Sequence, residues 1–451
     1  MSTRSRAKDR HPIPRWSVAT AILYIVAISL IPLGLRAHAG WPTLPGSESY
    51  DALVRISHIA TSAPTPYDLL LSVAEPAGLG WLLPMAIGLA TLLAFVAILT
   101  SRFGAPLAGI AGIALAISPP FLVASTRHSA PLLALLLFLL ATFDNGRPWR
   151  HALAIAAGIL LAPLPGVVFS LVVATIRLVK RDRVGALVGL SAIVAAYLWS
   201  YAWTGRALML FGGISPSSRV LAEFGVVGGV SVFAVILAAY GAHTAPRPVH
   251  AWGALLLTAL LLLLIPTLAL FGSLIISLLV ARGVLTMLRA RWDLELLRQV
   301  LLVIIVCASI FTIITTVRDI AHEQPTDRLV SVLTYIGEQR RPGGVLTDPS
   351  LSSMVIYYAG RAPALSSDAS EEDVARSFLV RDAQETYDLL ERTDTSFVLI
   401  TKEMRHGLFT RSDEGMLFLL PNTERFVAIT ADDSVSLWYY IRRPAQRSSP
   451  S

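Results

Sequence analysis

Two carboxylates, Glu48 and Asp51, stand three residues apart in the polar stretch Gly46-Ser-Glu-Ser-Tyr-Asp-Ala-Leu-Val-Arg-Ile56, and on a helix that spacing puts both on one face. A pair of this kind does one of two things. One acid takes a proton from a nucleophile as general base, or the two offer hard oxygens to Mg²⁺ or Mn²⁺. Tyr50 and Arg55 stand beside them, a hydroxylated ring and a cation suited to a polar headgroup. The same letters also describe a short solvated helix, so the choice depends on what surrounds the stretch.

What surrounds it is apolar. Of 451 residues, 54% are hydrophobic and only 15% charged, and the apolar residues come in long runs, which excludes an ordinary soluble enzyme and indicates a polytopic α-helical membrane protein. The net charge of +7 does not point to nucleic acid. Lys and Arg gather at the chain start and between apolar runs, the positive-inside pattern, and no nucleic-acid partner is expected. Cys307 is the single cysteine, so no intramolecular disulfide can form.

These elements must position the acids. Arg4, Arg6, Lys8, Arg10 and Arg15 precede Trp16 to Leu35, a run long enough to span a bilayer, and this basic flank predicts a cytoplasmic N-terminus. Ala37-His38-Ala39 also reads as a cleavage site, and with or without cleavage the first loop, 36–78, falls on the outer face. Further apolar runs are Leu79 to Thr100, Ala105 to Ser125 and Ala130 to Phe143. His151 to Val179 is interrupted by Pro163 and Pro165 and reads as two short or broken helices. Val184 to Trp203, Val220 to Tyr240, a two-pass stretch from Trp252 to Leu288, and Leu301 to Val317 complete a membrane domain, 1–317, of about eleven crossings. Arg127 and His128 then lie in one outer loop, and Arg206 and Arg219 in another.

From Arg318 the composition changes to charges interleaved with short apolar runs, which predicts a small extracytoplasmic α/β domain over 318–441 and a frayed tail over 442–451. Thr326 to Arg340, Ser350 to Tyr358 and Asp382 to Thr393 read as helices. Gly344 to Asp348, Ser396 to Ile400, Phe426 to Thr430 and Ser434 to Ile441 read as strands of a small covered sheet.

Three short motifs fit this layout: Gly46-Ser47-Glu48-Ser49-Tyr50 with Arg55-Ile56 in the first outer loop, Ile117-Ser118-Pro119-Pro120-Phe121 near the end of the third span, and Val345-Leu-Thr-Asp348 followed by Tyr357-Tyr358-Ala359-Gly360-Arg361 in the soluble part. With them the chain resembles the GT-C class of integral-membrane glycosyltransferases, and within it the catalytic subunit of oligosaccharyltransferase and its archaeal and bacterial relatives. The resemblance implies a membrane glycosyltransferase that moves a sugar from a polyprenyl-phosphate-linked donor to an acceptor on the outer face, with Glu48 at the place of the family's first-loop acid. The chain departs from that family at Thr126-Arg127-His128-Ser129, where no carboxylate stands in the second outer loop, and it has no Trp-Trp-Asp-Tyr-Gly motif. An acceptor other than a glycosylation sequon is therefore expected. An inert relative that binds a lipid-linked glycan or works within a complex is the alternative.

On this reading Glu48, then Asp51, are the catalytic acids and the ligands of Mg²⁺ or Mn²⁺. Tyr50, Arg55, Arg127, His128, Arg206 and Arg219 contact substrate, the arginines as forks for phosphate oxygens. A transporter accounts for the helices, but not for a soluble domain of about 120 residues. No charged residue stands mid-span to mark an ion path.

Overall fold

The computed structural model describes residues 15–58, 64–143, 148–163, 165–168, 170–171, 187, 191–198, 229–264, 268–290, 295–366, 369–409, 411 and 413–442. The chain divides into two compact units, Met1–His38 with Ile59–His322, and Ala39–His58 with Glu323–Ser451. The boundary expected at 317/318 thus falls at 322/323, and residues 39–58, read as part of the membrane domain, fold with the C-terminal unit.

The first unit is helical. Its helices are α1 (Arg15–His38), α3 (Pro66–Ala74), α4 (Leu83–Phe103), α5 (Ala105–Ala116), α6 (Pro119–Thr126), α7 (Ala130–Phe143), α8 (Pro148–Leu161), α9 (Val232–His243), α10 (Pro248–Leu264), α11 (Ala269–Arg289) and α12 (Glu295–His322), while α2 (Ser47–Ser57) belongs to the other unit. Among the described residues four stretches are long and apolar enough to cross a bilayer: Ala21–His38, Gly80–Phe103, Ala269–Arg289 and Leu296–Glu338, the last beginning with α12. Leu296, Val303, Val306, Phe311 and Ile314 of α12 are exposed, an arrangement that suits a lipid surround and not water. These spans, with shorter apolar helices at α7 to α10, make the chain a multi-pass membrane protein. The count of about eleven crossings draws in part on stretches outside the described residues, among them 172–186 and 199–228.

Two local features set how the helices meet. Ala105 to Ser125, expected as one span, is broken into α5 and α6, which bend by 63°. Pro119 and Pro120 begin a new helix, and the residue before a proline avoids the α region: Ser118 is extended, at φ −69° and ψ 130°. Between α9 and α11, glycine allows close approach. A β-carbon on Gly241 would collide with the Leu279 carbonyl, and one on Gly283 with the Leu237 carbonyl.

The second unit is built on a four-stranded sheet of order β1-β2-β4-β3, with β1 (Gly344–Leu346), β2 (Thr395–Thr401), β3 (Phe426–Ala431) and β4 (Val435–Tyr440). β1 pairs parallel with β2, and β4 pairs antiparallel with both β2 and β3. β2 is buried along its whole length, which is why its sequence is an apolar run and not an alternation. Helices α13 (Asp327–Glu338), α14 (Glu371–Phe378), α15 (Ala383–Arg392), α16 (Lys402–Gly407) and α17 (Gly415–Asn422) accompany the sheet. Phe378, Leu390, Val398, Ile400, Leu420 and Tyr440 are among the buried residues of the core beside it.

The β3–β4 hairpin is tied by Asp432. Its carboxylate accepts from the Ser434 hydroxyl at 2.6 Å, the Val435 amide at 2.8 Å and Arg328 at 2.9 Å. These bonds, that of the Ser434 hydroxyl first, hold the carboxyl well below the usual range. Burial pushes the Tyr440 phenol up, while its hydroxyl donates to Glu391 at 3.0 Å.

Candidate functional site

The acid stretch does form a helix, α2, entered through Gly46 at φ 77°, a backbone conformation that glycine adopts without strain. The Gly46 amide donates to the Gln324 carbonyl at 2.8 Å. Ser49, Tyr50, Ala52 and Leu53 are buried, whereas Glu48 and Arg55 are exposed and Asp51 is half-buried. Positions 48, 51 and 55 follow helical spacing, so the three charged side chains make one stripe on the side of α2 opposite its buried face. Tyr50, expected to touch substrate, is buried, with 2% of its surface exposed.

The buried face of α2 rests on the segment 349–359, which runs from a 3₁₀ turn at Pro349–Leu351 through Ser352–Met354 to a π-helical turn at Val355–Ala359. The Tyr50 ring lies 5.4 Å from those of both Tyr357 and Tyr358, and its hydroxyl is 2.9 Å from the Tyr358 hydroxyl. The Ser353 hydroxyl donates to the Ser47 carbonyl at 3.3 Å. Within α2 and its entry turn, Ser49 donates to the Pro45 carbonyl at 2.8 Å and Tyr50 to that of Leu44 at 3.3 Å.

Arg127 and His128 belong to the first unit, directly after α6, a helix buried at every residue. Both are themselves buried, Arg127 to 8% exposure and His128 to 3%. The Tyr67 hydroxyl lies 3.0 Å from His128 Nδ1, with the rings 6.0 Å apart and edge-on. Next to Tyr67, Asp68 is 1% exposed and closes a capping box: its carboxylate accepts from the Thr65 amide at 3.0 Å and hydroxyl at 2.8 Å, while the Thr65 hydroxyl receives the Asp68 amide. Arg36, fully buried at the end of α1, donates to the Ala321 carbonyl at 3.4 Å.

The structure therefore brings Glu48, Tyr50, Asp51 and Arg55 together on one helix, and Arg127 and His128 together at another place. Arg206 and Arg219 lie outside the described residues. Tyr67 and Tyr358 were not anticipated as partners of His128 and Tyr50, nor were Arg36 and Asp68 expected to be buried. Of the four, Asp68 had a readable signal: Thr65-Pro-Tyr-Asp68 has a capping residue, a proline at the first helical position and an acid three residues on.

Among the described residues no group of three or more His, Cys, Asp or Glu side chains comes together. Glu48, exposed, and Asp51, half-buried, carry the hard carboxylate oxygens that Mg²⁺ or Mn²⁺ prefer, two donors that leave most of such an ion's coordination to other ligands.

Within the first unit, α5, α6, α9, α11 and α12 line a cavity of about 220 Å³. Ala114, Ile117, Ile276, Val280, Ile304 and Ala308 form much of its wall. Three of its hydroxyls are turned to carbonyls of their own helices, Ser273 to Leu270, Ser309 to Ile305 and Thr312 to Ala308, and that of Ser231 lies 3.2 Å from Thr312, so the surface offered is mostly apolar.

No protein-family model matches the chain, and no curated protein does. Solved structures do, and the fold they share with it is that of the GT-C glycosyltransferases. The archaeal oligosaccharyltransferase AglB of Archaeoglobus fulgidus, in complex with an inhibitory peptide and a dolichol-phosphate, matches with a TM-score of 0.56 and 14% identity over 95% of this chain and 75% of that one. An oligosaccharyltransferase of the same organism in complex with Zn and sulfate matches with a TM-score of 0.52 and 16% identity over 85% and 68%. ArnT of Cupriavidus metallidurans, bound to undecaprenyl phosphate, matches with a TM-score of 0.51 and 13% identity over 98% and 100%. At these identities the likeness is one of fold.

Proposed function

We propose that the chain is a membrane glycosyltransferase that moves a sugar from a polyprenyl-phosphate-linked donor to an acceptor on the outer face of the membrane. The observation that carries the reading is the stripe of exposed Glu48 and half-buried Asp51 on α2, in a fold shared with proteins solved with dolichol-phosphate and undecaprenyl phosphate. The apolar cavity between α5, α6, α9, α11 and α12 suits an isoprenoid chain, which needs no hydrogen-bond partner.

In this reading Glu48 takes the proton of the acceptor's nucleophile as a bond forms to the anomeric carbon. The bond from that carbon to the phosphate oxygen breaks, and its electron pair leaves with the polyprenyl phosphate. Arg127 offers a guanidinium fork to the phosphate, with His128 as a second polar contact, and burial strengthens such contacts. Mg²⁺ or Mn²⁺, if held by Glu48 and Asp51, would supply positive charge for the departing phosphate. Arg55 extends the same stripe and is assigned to the donor headgroup. The N-terminus is cytoplasmic and the C-terminal unit extracytoplasmic.

The test is to supply membranes containing the chain with a panel of radiolabelled undecaprenyl-phosphate sugars and follow label into membrane acceptors. Label is expected to move with the native chain and not with Glu48→Gln. Donor binding without movement of label in any pairing supports the alternative, a protein that holds a lipid-linked glycan without reacting it.

A further inference from the structure

We propose that Tyr358 is a positioning residue for the acid stripe: through its hydroxyl on Tyr50 it fixes the rotation of α2 and hence the direction of Glu48 and Asp51. The inference rests on the reading of those acids given above and adds to it a residue some three hundred positions away in the chain.

An eleven-residue helix is marginal by itself, and α2 has no side-chain cap at its start, where Gly46 stands. Its orientation therefore comes from what it rests on. The Tyr50 hydroxyl has one proton, and the Leu44 carbonyl, 3.3 Å away, can only accept it. The Tyr358 hydroxyl is then the donor in the 2.9 Å contact with Tyr50. The result is a directed chain from Tyr358 to Tyr50 to the turn from which α2 starts. The π-helical turn at Val355–Ala359 makes the grip possible. A wider turn lessens the angle between consecutive side chains, so Tyr357 and Tyr358, with ring centroids 5.0 Å apart, both reach the Tyr50 ring before Gly360, at φ 60°, ends the segment. Glu48 and Asp51 lie two positions before and one after Tyr50, so a rotation about Tyr50 turns both.

Tyr358→Phe keeps the ring and removes the donor. In the membrane transfer assay kcat is expected to fall about five- to tenfold, with the KM for the undecaprenyl-phosphate sugar within about twofold of native, as for loss of one hydrogen bond that acts on alignment and not on binding. A second readout needs no substrate. In a Cys307→Ser background, a nitroxide on Ser57→Cys at the end of α2 is expected to become more mobile when Tyr358→Phe is added, at a temperature where the thermal midpoint shows both proteins folded. An unchanged nitroxide spectrum, or unchanged kcat while Glu48→Gln is inactive, overturns the inference. Full activity of Glu48→Gln instead overturns the reading of the acids on which it rests.

Discussion

Two short helices between α1 and α4 carry the same pair of residues in the same order, Tyr50-Asp51 on α2 and Tyr67-Asp68 on α3, and the structure uses the two pairs in opposite ways. In each the tyrosine is buried and its hydroxyl meets a distant residue, Tyr358 in one case and His128 in the other. The aspartates differ. Asp68 is buried with its carboxylate engaged by both donors of Thr65, whereas Asp51 is half-buried and Glu48 beside it is open. An acid next to a tyrosine in a polar segment is therefore not a sign of chemistry by itself. What separates the two is whether a capping residue stands three positions before the acid.

The comparison is sharpened first by Glu48→Gln, expected to lower transfer roughly a hundredfold or more, as loss of a general base does, without altering the thermal midpoint. Arg127→Ala is expected to lower transfer by about ten- to a hundredfold at subsaturating donor, through loss of a charge-assisted contact to phosphate, read as kcat/KM. Thr65→Ala opens the capping box on α3 and is expected to cost about 1 kcal/mol of stability, read by thermal unfolding in detergent, with turnover per folded molecule unchanged. If Thr65→Ala abolishes turnover in folded protein, the division into a structural and a chemical acid is wrong.

The smallest effect is a pH dependence in the second unit. The Asp432 carboxyl is held below its unfolded value of about 4, so its contribution is present above that pH and is lost as pH falls through the folded value. Asp432→Asn is expected to flatten the acid side of the unfolding curve below about pH 4, and only slightly, because the group is near solvent. An acid limb identical to that of the native chain would remove Asp432 from the account.

Much of the second unit was legible in the sequence. Ser396 to Ile400 is an unbroken apolar run bounded by polar residues, and it is the buried centre of the sheet. Phe426 to Ile441 reads as two strands about a polar turn, and Asp432 and Ser434 tie that turn. The GT-C resemblance, carried by few residues, is matched by the fold of solved structures. The bend at Ser118–Pro119 was also written in the chain, since a double proline starts a helix but rarely continues one, yet hydropathy alone ran the two helices together. What could not be read was non-local. Nothing in residues 39–58 announces that they fold with a segment some three hundred residues on. The meeting of Tyr67 with His128 leaves no periodicity either, because it is made by packing and not by local propensity.

The most direct test of sugar transfer is a donor labelled twice, with tritium in the sugar and phosphorus-32 in the undecaprenyl phosphate, supplied to membranes that contain the chain. The account predicts that tritium passes to an acceptor fraction while phosphorus-32 stays in the lipid extract, and that neither separates when Glu48→Gln replaces the native chain. Tritium and phosphorus-32 remaining together with every donor sugar tried would contradict it.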